Sequence, residues 1–221
     1  MKHSAGLLAM GVAVGLAMSG CGESDKKTQA SALDYFPVAV GNRWTYQETG
    51  TTTGEVIKRL TGTEEFGGQS TLVEETNDYE TAILKRQNWL VSNGRVLRVR
   101  QQRLQGDLIL DYRTYEPGFL RFDNALAKVG DTLLEQHTRR EYDGTDTLLQ
   151  EKTEQYTWLV EAENAPVETL AGNFDCLKLK RIDTSGTDIK YFYYAAGVGK
   201  VLETSDTDEE RLVSFDVADM P

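Results

Sequence analysis

The chain has 221 residues, of which 24 are Lys or Arg and 35 are Asp or Glu, giving a net charge of −11. A surface this acidic repels phosphate backbones, which argues against nucleic acid as a partner, and it offers anionic lipid headgroups little attraction. With two cysteines, Cys21 and Cys176, the fold rests on its core and not on a disulfide framework.

The N-terminus reads as a targeting segment. Lys2 is positive, residues 7–18 (LLAMGVAVGLAM) are uncharged, and the run is too short to span a bilayer, which takes about 20 apolar residues. Small residues then lead directly into a cysteine: Met18-Ser19-Gly20-Cys21 resembles the lipobox of bacterial lipoprotein signal peptides. The resemblance implies cleavage after residue 20, a thioether-linked diacylglycerol on Cys21 and acylation of its new amino group, so that acyl chains hold the membrane. Met18 stands where Leu is commoner, and the plainer alternative is an ordinary signal with an incidental cysteine. Once Cys21 is acylated, Cys176 has no disulfide partner. Residues 1–20 are thus expected to form the signal helix, and 21–32 a lipidated cysteine and flexible tether of small polar residues. Fully extended, ten tether residues reach about 33–36 Å. Gly22, and not Asp, in the second mature position favours the outer membrane under the Gram-negative sorting rule.

From residue 33 to 221 the pattern predicts one all-β domain. Strand-length runs rich in β-branched and aromatic residues fall at 44–46, 96–104, 108–115, 156–160, 177–179 and 191–194. Turn pairs separate them, among them Thr53-Gly54, Gly67-Gly68, Asn93-Gly94, Gly106-Asp107, Asp143-Gly144, Gly172-Asn173 and Ser185-Gly186. No mature segment sustains a helical stripe over three turns, although short helices near Leu33 and over 122–126 fit. About 10–12 antiparallel strands are expected, as a sandwich or an open or half barrel.

A faint internal repeat refines this expectation. Val40-Gly41-Asn42-Arg43-Trp44 matches Val129-Gly130-Asp131-Thr132-Leu133, Gly68 to Leu72 matches Gly172 to Leu177, and Gly94-Arg95-Val96-Leu97 matches Gly199-Lys200-Val201-Leu202. One insertion of about fifteen residues, placed between His137 and Tyr156, keeps the three anchors in order. The reading is two β units, 35–125 and 126–221, unless hairpins merely reuse the same turn chemistry.

Three phrases carry a second resemblance: Phe36-Pro37 through Gly41, Trp44 and Tyr46; Ala171-Gly172-Asn173-Phe174-Asp175-Cys176; and Tyr194-Ala195-Ala196-Gly197-Val198-Gly199-Lys200-Val201. Together they resemble a family of uncharacterised bacterial envelope proteins, many of them lipoproteins, marked by FP-x3-G-x2-W-x-Y, AG-x-F-x-C and YA-x-GVG-x-V in this order. The resemblance implies an envelope location and, by analogy, a curved sheet like that of lipoprotein-localisation carriers, but no activity. Each phrase also has a structural explanation in tight turns and close backbone approach.

Tyr191-Phe192-Tyr193-Tyr194 places aromatics on both faces of one strand, so both faces need cover. One face packs the core; the other lines a cavity or a second sheet. Trp44, Tyr46, Trp89, Trp158, Tyr191 and Tyr193 are the candidate cavity lining, since rings with polar tips suit amphipathic ligands; ordinary inter-sheet packing is the alternative. No catalytic residue, metal site or cofactor site is selected. His137, the one histidine after the signal, lacks the partners for a zinc site and sits in a strand expected to be exposed. Cys176 reads as a small core residue, and nothing in the spacing selects a carboxylate pair. Asp206-Thr207-Asp208-Glu209-Glu210 lacks the glycine and the distal glutamate of a calcium loop and reads as a solvated acidic turn. The expected function is therefore a non-enzymatic, membrane-anchored envelope lipoprotein that binds a hydrophobic or amphipathic ligand or a protein partner. The alternatives are an assembly lipoprotein with a filled core and, further off, a carboxylate-based hydrolase.

Overall fold

The computed structural model describes residues 32–78 and 82–218. The signal segment, Cys21 and most of the tether lie outside the described residues. After one helical turn, α1 (Ala32–Tyr35), the chain is strand throughout: β1 (Arg43–Thr49), β2 (Gly54–Phe66), β3 (Gln69–Asp78), β4 (Ile83–Ser92), β5 (Arg95–Gln105), β6 (Leu108–Asp123), β7 (Thr132–Asp143), β8 (Leu148–Thr169), β9 (Gly172–Asp183), β10 (Ile189–Ala195), β11 (Gly199–Thr204) and β12 (Glu209–Asp216). Each strand pairs antiparallel with the next, and β1 pairs with β12, closing the meander into a twelve-stranded barrel. The all-β expectation therefore holds, and the specific form is a closed barrel with no free edge, which removes the template for edge-to-edge association.

The local chemistry follows the turn residues. Asn93 and Gly94 both take positive φ between β4 and β5, as a two-residue hairpin needs. The paired anchors of the internal repeat occupy the first, third and fifth strand of each six-stranded half, and their geometry corresponds. Gly41 N–H donates to Leu60 O at 2.8 Å while Leu60 N–H donates to Asn42 O at 2.9 Å. In the second half Gly130 N–H donates to Val160 O and Val160 N–H to Asp131 O, both at 3.0 Å. The extra residues lie in the first hairpin of the second half, where β7 and β8 have 12 and 22 residues against 7 and 13 in β1 and β2.

Strand alternation sorts the side chains between two walls. The outer wall carries ion pairs, including Arg86–Glu75 at 2.9 Å, Lys178–Glu161 at 2.8 Å and Arg140–Glu151 at 2.5 Å. A membrane-spanning barrel needs an apolar outer band about 25 Å tall, so this outer wall faces water.

One end of the barrel is plugged by its own N-terminal segment. Tyr35 stacks on Phe122 at 5.6 Å, and Phe36 packs on Trp89 at 5.5 Å and Tyr194 at 6.4 Å. Gly197 N–H donates to Asp34 O at 2.7 Å, and the Trp44 indole donates to Val198 O at 2.6 Å. This is where the first and third sequence phrases meet. Gly199 has φ +101°, and a Cβ there would lie 3.4 Å from both Pro37 Cδ and Trp44 Nε1. Gly199→Ala is expected to cost about 1–3 kcal/mol through this backbone strain, a fall of about 2–4 °C in melting midpoint per kcal/mol; a thermal melt unchanged from wild type would contradict it.

Candidate functional site

Twelve strands enclose more space than their side chains fill, and what remains is a lumen of about 500 Å³. Cross-strand partners share a face, and rows of them line it: Trp44, Lys58, Thr76 and Lys85 are successive partners across β1 to β4, as are Leu60, Glu74, Gln87, Gln101 and Arg113 across β2 to β6. The floor is aromatic, made by Phe36, Trp44, Trp89 and Tyr194. At the opposite end Lys85 is exposed to solvent, and a recess of about 380 Å³ continues outward, sharing Glu48, Lys85, Lys190, Glu203 and Glu210.

The charge of this wall is opposite in sign to that of the chain. Nine Lys and Arg line the lumen against six Asp and Glu, whereas acids outnumber bases over the whole sequence. Near the mouth the charges neutralise one another. Glu210 accepts from Lys58 at 2.7 Å and lies 2.8 Å from Lys200; Glu203 accepts from Lys200 at 2.5 Å and Lys190 at 3.1 Å. Burial alone would raise both carboxyls, but the lysines prevail, holding Glu210 down at about 2 and Glu203 well below the usual range. Tyr46 lies under this cluster with Lys58 over its ring at 4.8 Å, and its hydroxyl donates to Lys200 O at 2.9 Å. Burial pushes the Tyr46 phenol well above its ordinary value. Glu74 moves upward too, again through burial, and its Oε1 accepts from the Gln87 amide at 2.9 Å.

A second buried network holds the opposite wall. Glu135 accepts from Leu120 N–H at 3.1 Å, His137 Nδ1 at 2.7 Å and the Trp158 indole at 3.1 Å. His137 Nε2 faces Glu154 at 3.3 Å, and Glu154 also pairs with Arg139 at 3.0 Å. The His137 ring packs under Phe119 at 4.9 Å, Tyr115 at 5.5 Å and Tyr156 at 6.1 Å. His137 was expected on an exposed strand and is instead 2% exposed. The correction has a simple cause: β7 turns its odd-numbered residues inward, and flanking carboxylates satisfy a polar ring there.

The predicted lining residues divide. Trp44, Tyr46 and Trp89 line the lumen. Trp158 is 1% exposed, stacked on Phe192 at 5.2 Å, and belongs to the packed layer beside the lumen. Tyr191 and Tyr193 do not face the lumen. They lie on the other face of β10, with Lys178 over their rings at 4.6 and 5.7 Å, and Phe192 and Tyr194 are the inward pair. A strand with aromatics at four consecutive positions gives alternation no sign, so the sequence could not say which pair turns in. Cys176 is fully buried and its thiol is pushed up to about 12 by burial, as suits an inert core residue. The acidic turn is not wholly solvated, since Glu210 points into the lumen.

The sequence missed the charged members of the lumen: Lys58, Glu74, Arg98, Arg121, Arg181, Lys200, Glu203 and Glu210. Charged residues alternating with apolar ones on a strand read as a solvent face. Only closure of the barrel shows that this face encloses a lumen.

Fold and site together define a closed twelve-stranded, water-facing barrel with a cationic lumen and an aromatic floor. Solved structures of looser resemblance include a presumed exported protein with a YmcC-like fold from Bacteroides fragilis, 16% identical, with a TM-score of 0.49 over 82% of this chain and 98% of that one. A presumed lipoprotein from Parabacteroides distasonis is 10% identical, with a TM-score of 0.35 over the same shares. No family model matches the sequence, and no curated protein does. Likeness this loose identifies neither a common ligand nor an activity, and the functional reading comes from the lumen itself.

Proposed function

We propose that this chain is an envelope lipoprotein, anchored through acyl chains on Cys21, whose barrel holds an amphipathic small molecule in its lumen without transforming it. The lumen carries this reading. Its volume of about 500 Å³ falls within the range of ligand pockets, its floor is aromatic, and its upper wall is polar, which a filled structural core would not require. The lipobox, the polar tether and the three envelope-family phrases support the address, and Gly22 favours the outer membrane.

A non-catalytic role fits the state of the lumen carboxylates. Glu203 and Glu210 are held ionised by lysines, and Glu154 is lowered by the His137 contact, so none of them stores a transferable proton near neutral pH. Glu74 is raised by burial; its charged neighbours are Lys58, Arg121, Lys200 and one carboxylate, Glu210, which Lys58 and Lys200 hold ionised and ion-paired and so do not leave free to act as nucleophile or base.

The test is native mass spectrometry of the full chain extracted in a mild detergent, together with displacement of 1-anilinonaphthalene-8-sulfonate. A co-purifying small molecule, or displacement by an envelope extract, is expected. An empty protein that also fails to bind the dye would sink the ligand reading. The address is tested separately by feeding cells a clickable fatty acid, where label is expected on the wild type and not on Cys21→Ser.

A further inference from the structure

We propose that Arg98, Arg121 and Arg181 form a seat for an anionic group, a carboxylate or phosphate, carried on a compact organic ligand in the lumen. The proposal rests on the lumen being a ligand site, and it names the chemistry of that ligand.

The three guanidinium groups come from β5, β6 and β9 and converge on the lumen wall. Arg98 lies 4.8 Å and Arg181 5.2 Å from the centre of the same Phe119 ring. Arg98 also covers Tyr115 at 4.7 Å, Arg181 covers Tyr156 at 4.7 Å, and Arg121 covers Trp89 at 5.4 Å. Aromatic faces hold the planar cations in place while leaving their edges free, which is how arginine is prepared for a fork-like contact with an oxyanion.

Each guanidinium has five N–H donors, and very few are used. Among the described residues, Arg98 donates to Gln87 Oε1 at 3.0 Å, Arg181 reaches Asp188 Oδ2 at 3.4 Å, and the Nε of Arg121 has no acceptor. The Nε atoms of all three are buried without an acceptor, and Arg181 is only 5% exposed. Buried charges are ordinarily paired. The lumen does contain carboxylates, but Glu203 and Glu210 are committed to lysines and Glu154 to His137 and Arg139; Glu74, which acts on Arg98, Arg121 and Lys58 alike, is one carboxylate shared among several cations. Positive charge is therefore in excess around the three arginines, between the mouth cluster and the aromatic floor. Burial lowers Arg98 to about 10, with Arg121 and Arg181 acting in the same direction, whereas Arg121, although buried, is raised by Tyr194 and by the carboxylates of Glu203 and Glu74; an anion beside Arg98 would offset the repulsion there.

The wall also limits the rest of the ligand. Leu60 and Pro37 are its aliphatic members, and charged or aromatic residues make up most of the remainder. A long acyl chain would strip water from those charges without replacing it. A compact body with a flat or polar surface fits the rings instead.

Isothermal titration calorimetry on the full chain in a nonionic detergent, with 1-naphthyl phosphate, 1-naphthoate, 1-naphthol and inorganic phosphate, tests the seat. The two organic anions are expected to bind at least about tenfold more tightly than naphthol, since hydrogen bonds to charged groups are the strong ones. Arg98→Gln and Arg121→Gln are each expected to lower anion affinity about tenfold and leave naphthol unchanged, with urea midpoints confirming that each variant folds. The tighter of the two anions assigns the head group. Equal binding of naphthol, or anion affinity untouched in both variants, refutes the seat while leaving the lumen a ligand site. Inorganic phosphate binding as tightly as the naphthyl ester overturns the organic-ligand part. Silence from all four probes also refutes the seat, and the native mass spectrum then decides the broader reading on its own.

Discussion

Glu210→Gln is expected to destabilise the barrel by about 3 kcal/mol, the lower end of the cost of breaking a buried ion pair from one side. Glu210 is the shared acceptor of Lys58 and Lys200, whose side chains are 16% and 8% exposed. Lys200 keeps Glu203 when Glu210 is lost, which holds the cost at the lower end, but Lys58 is left without its carboxylate. The double variant Lys58→Met, Glu210→Met is expected to recover most of the loss, because replacing a whole buried pair by apolar groups is commonly neutral. Urea denaturation of the three proteins checks this, and a double variant no better than the single would mean that the pair is needed for the fold. The pH dependence gives a second readout. The folded carboxyl sits at about 2, below its ordinary 4.5. Its contribution is therefore fully present above about pH 4.5 and is lost as pH falls through 2. Glu210→Gln should flatten that acid limb of the stability curve.

The same cluster explains which parts of the fold were legible beforehand. Strands and turns are local properties, and pairs such as Asn93-Gly94 and Gly106-Asp107 marked hairpins that the structure contains, with all four residues lying between strands as expected. Gly41 and Gly130, matched in the sequence, both take positive φ just before a strand, as either a duplicated unit or a reused turn would require. Closure was not visible. The pairing of Arg43 with Asp216 and of Trp44 with Phe215 joins the two ends of the domain, and no local pattern encodes a contact of that separation. Without closure, a sandwich and a half barrel read the same.

The site was obscured for a related reason. In a sandwich, alternation separates an apolar core from a wet exterior. In a wide barrel, both faces of a strand can be polar, one in bulk water and one in the lumen. Arg98 and Arg100, two residues apart, illustrate this: a bulge between them sends Arg98 onto Phe119 and Arg100 to Glu64. Phe192 and Tyr194 were hidden in a similar way, alternating with Tyr191 and Tyr193 along β10. What the aromatic residues did convey was part of the lining, since Trp44, Tyr46 and Trp89 line the lumen.

Glu135→Gln is expected to cost about 2–4 kcal/mol, because three buried donors converge on one carboxylate and an amide offers them a single acceptor oxygen. Leu120 N–H, His137 Nδ1 and the Trp158 indole all depend on it, and the last two side chains are almost completely buried. The imidazole links this loss to pH. Burial opposes the charged ring, but the Glu135 hydrogen bond and the Glu154 contact outweigh it and raise His137 above its ordinary 6.5. A raised folded value means that the contribution is complete below about pH 6.5 and disappears as pH climbs through the folded value. Wild-type stability should therefore decline as pH rises above about 6.5 and through the folded value. His137→Gln should abolish that slope, and Glu135→Gln should reduce it by removing the stronger of the two supports. The consequence reaches the lumen, because His137 lies beneath Phe119, Tyr115 and Tyr156, the rings that carry Arg98 and Arg181. Loosening that shelf should weaken anion binding over the same pH range in which stability falls. Measuring both curves on the same samples decides the matter: two curves that part company would show the network and the arginine seat to be mechanically independent.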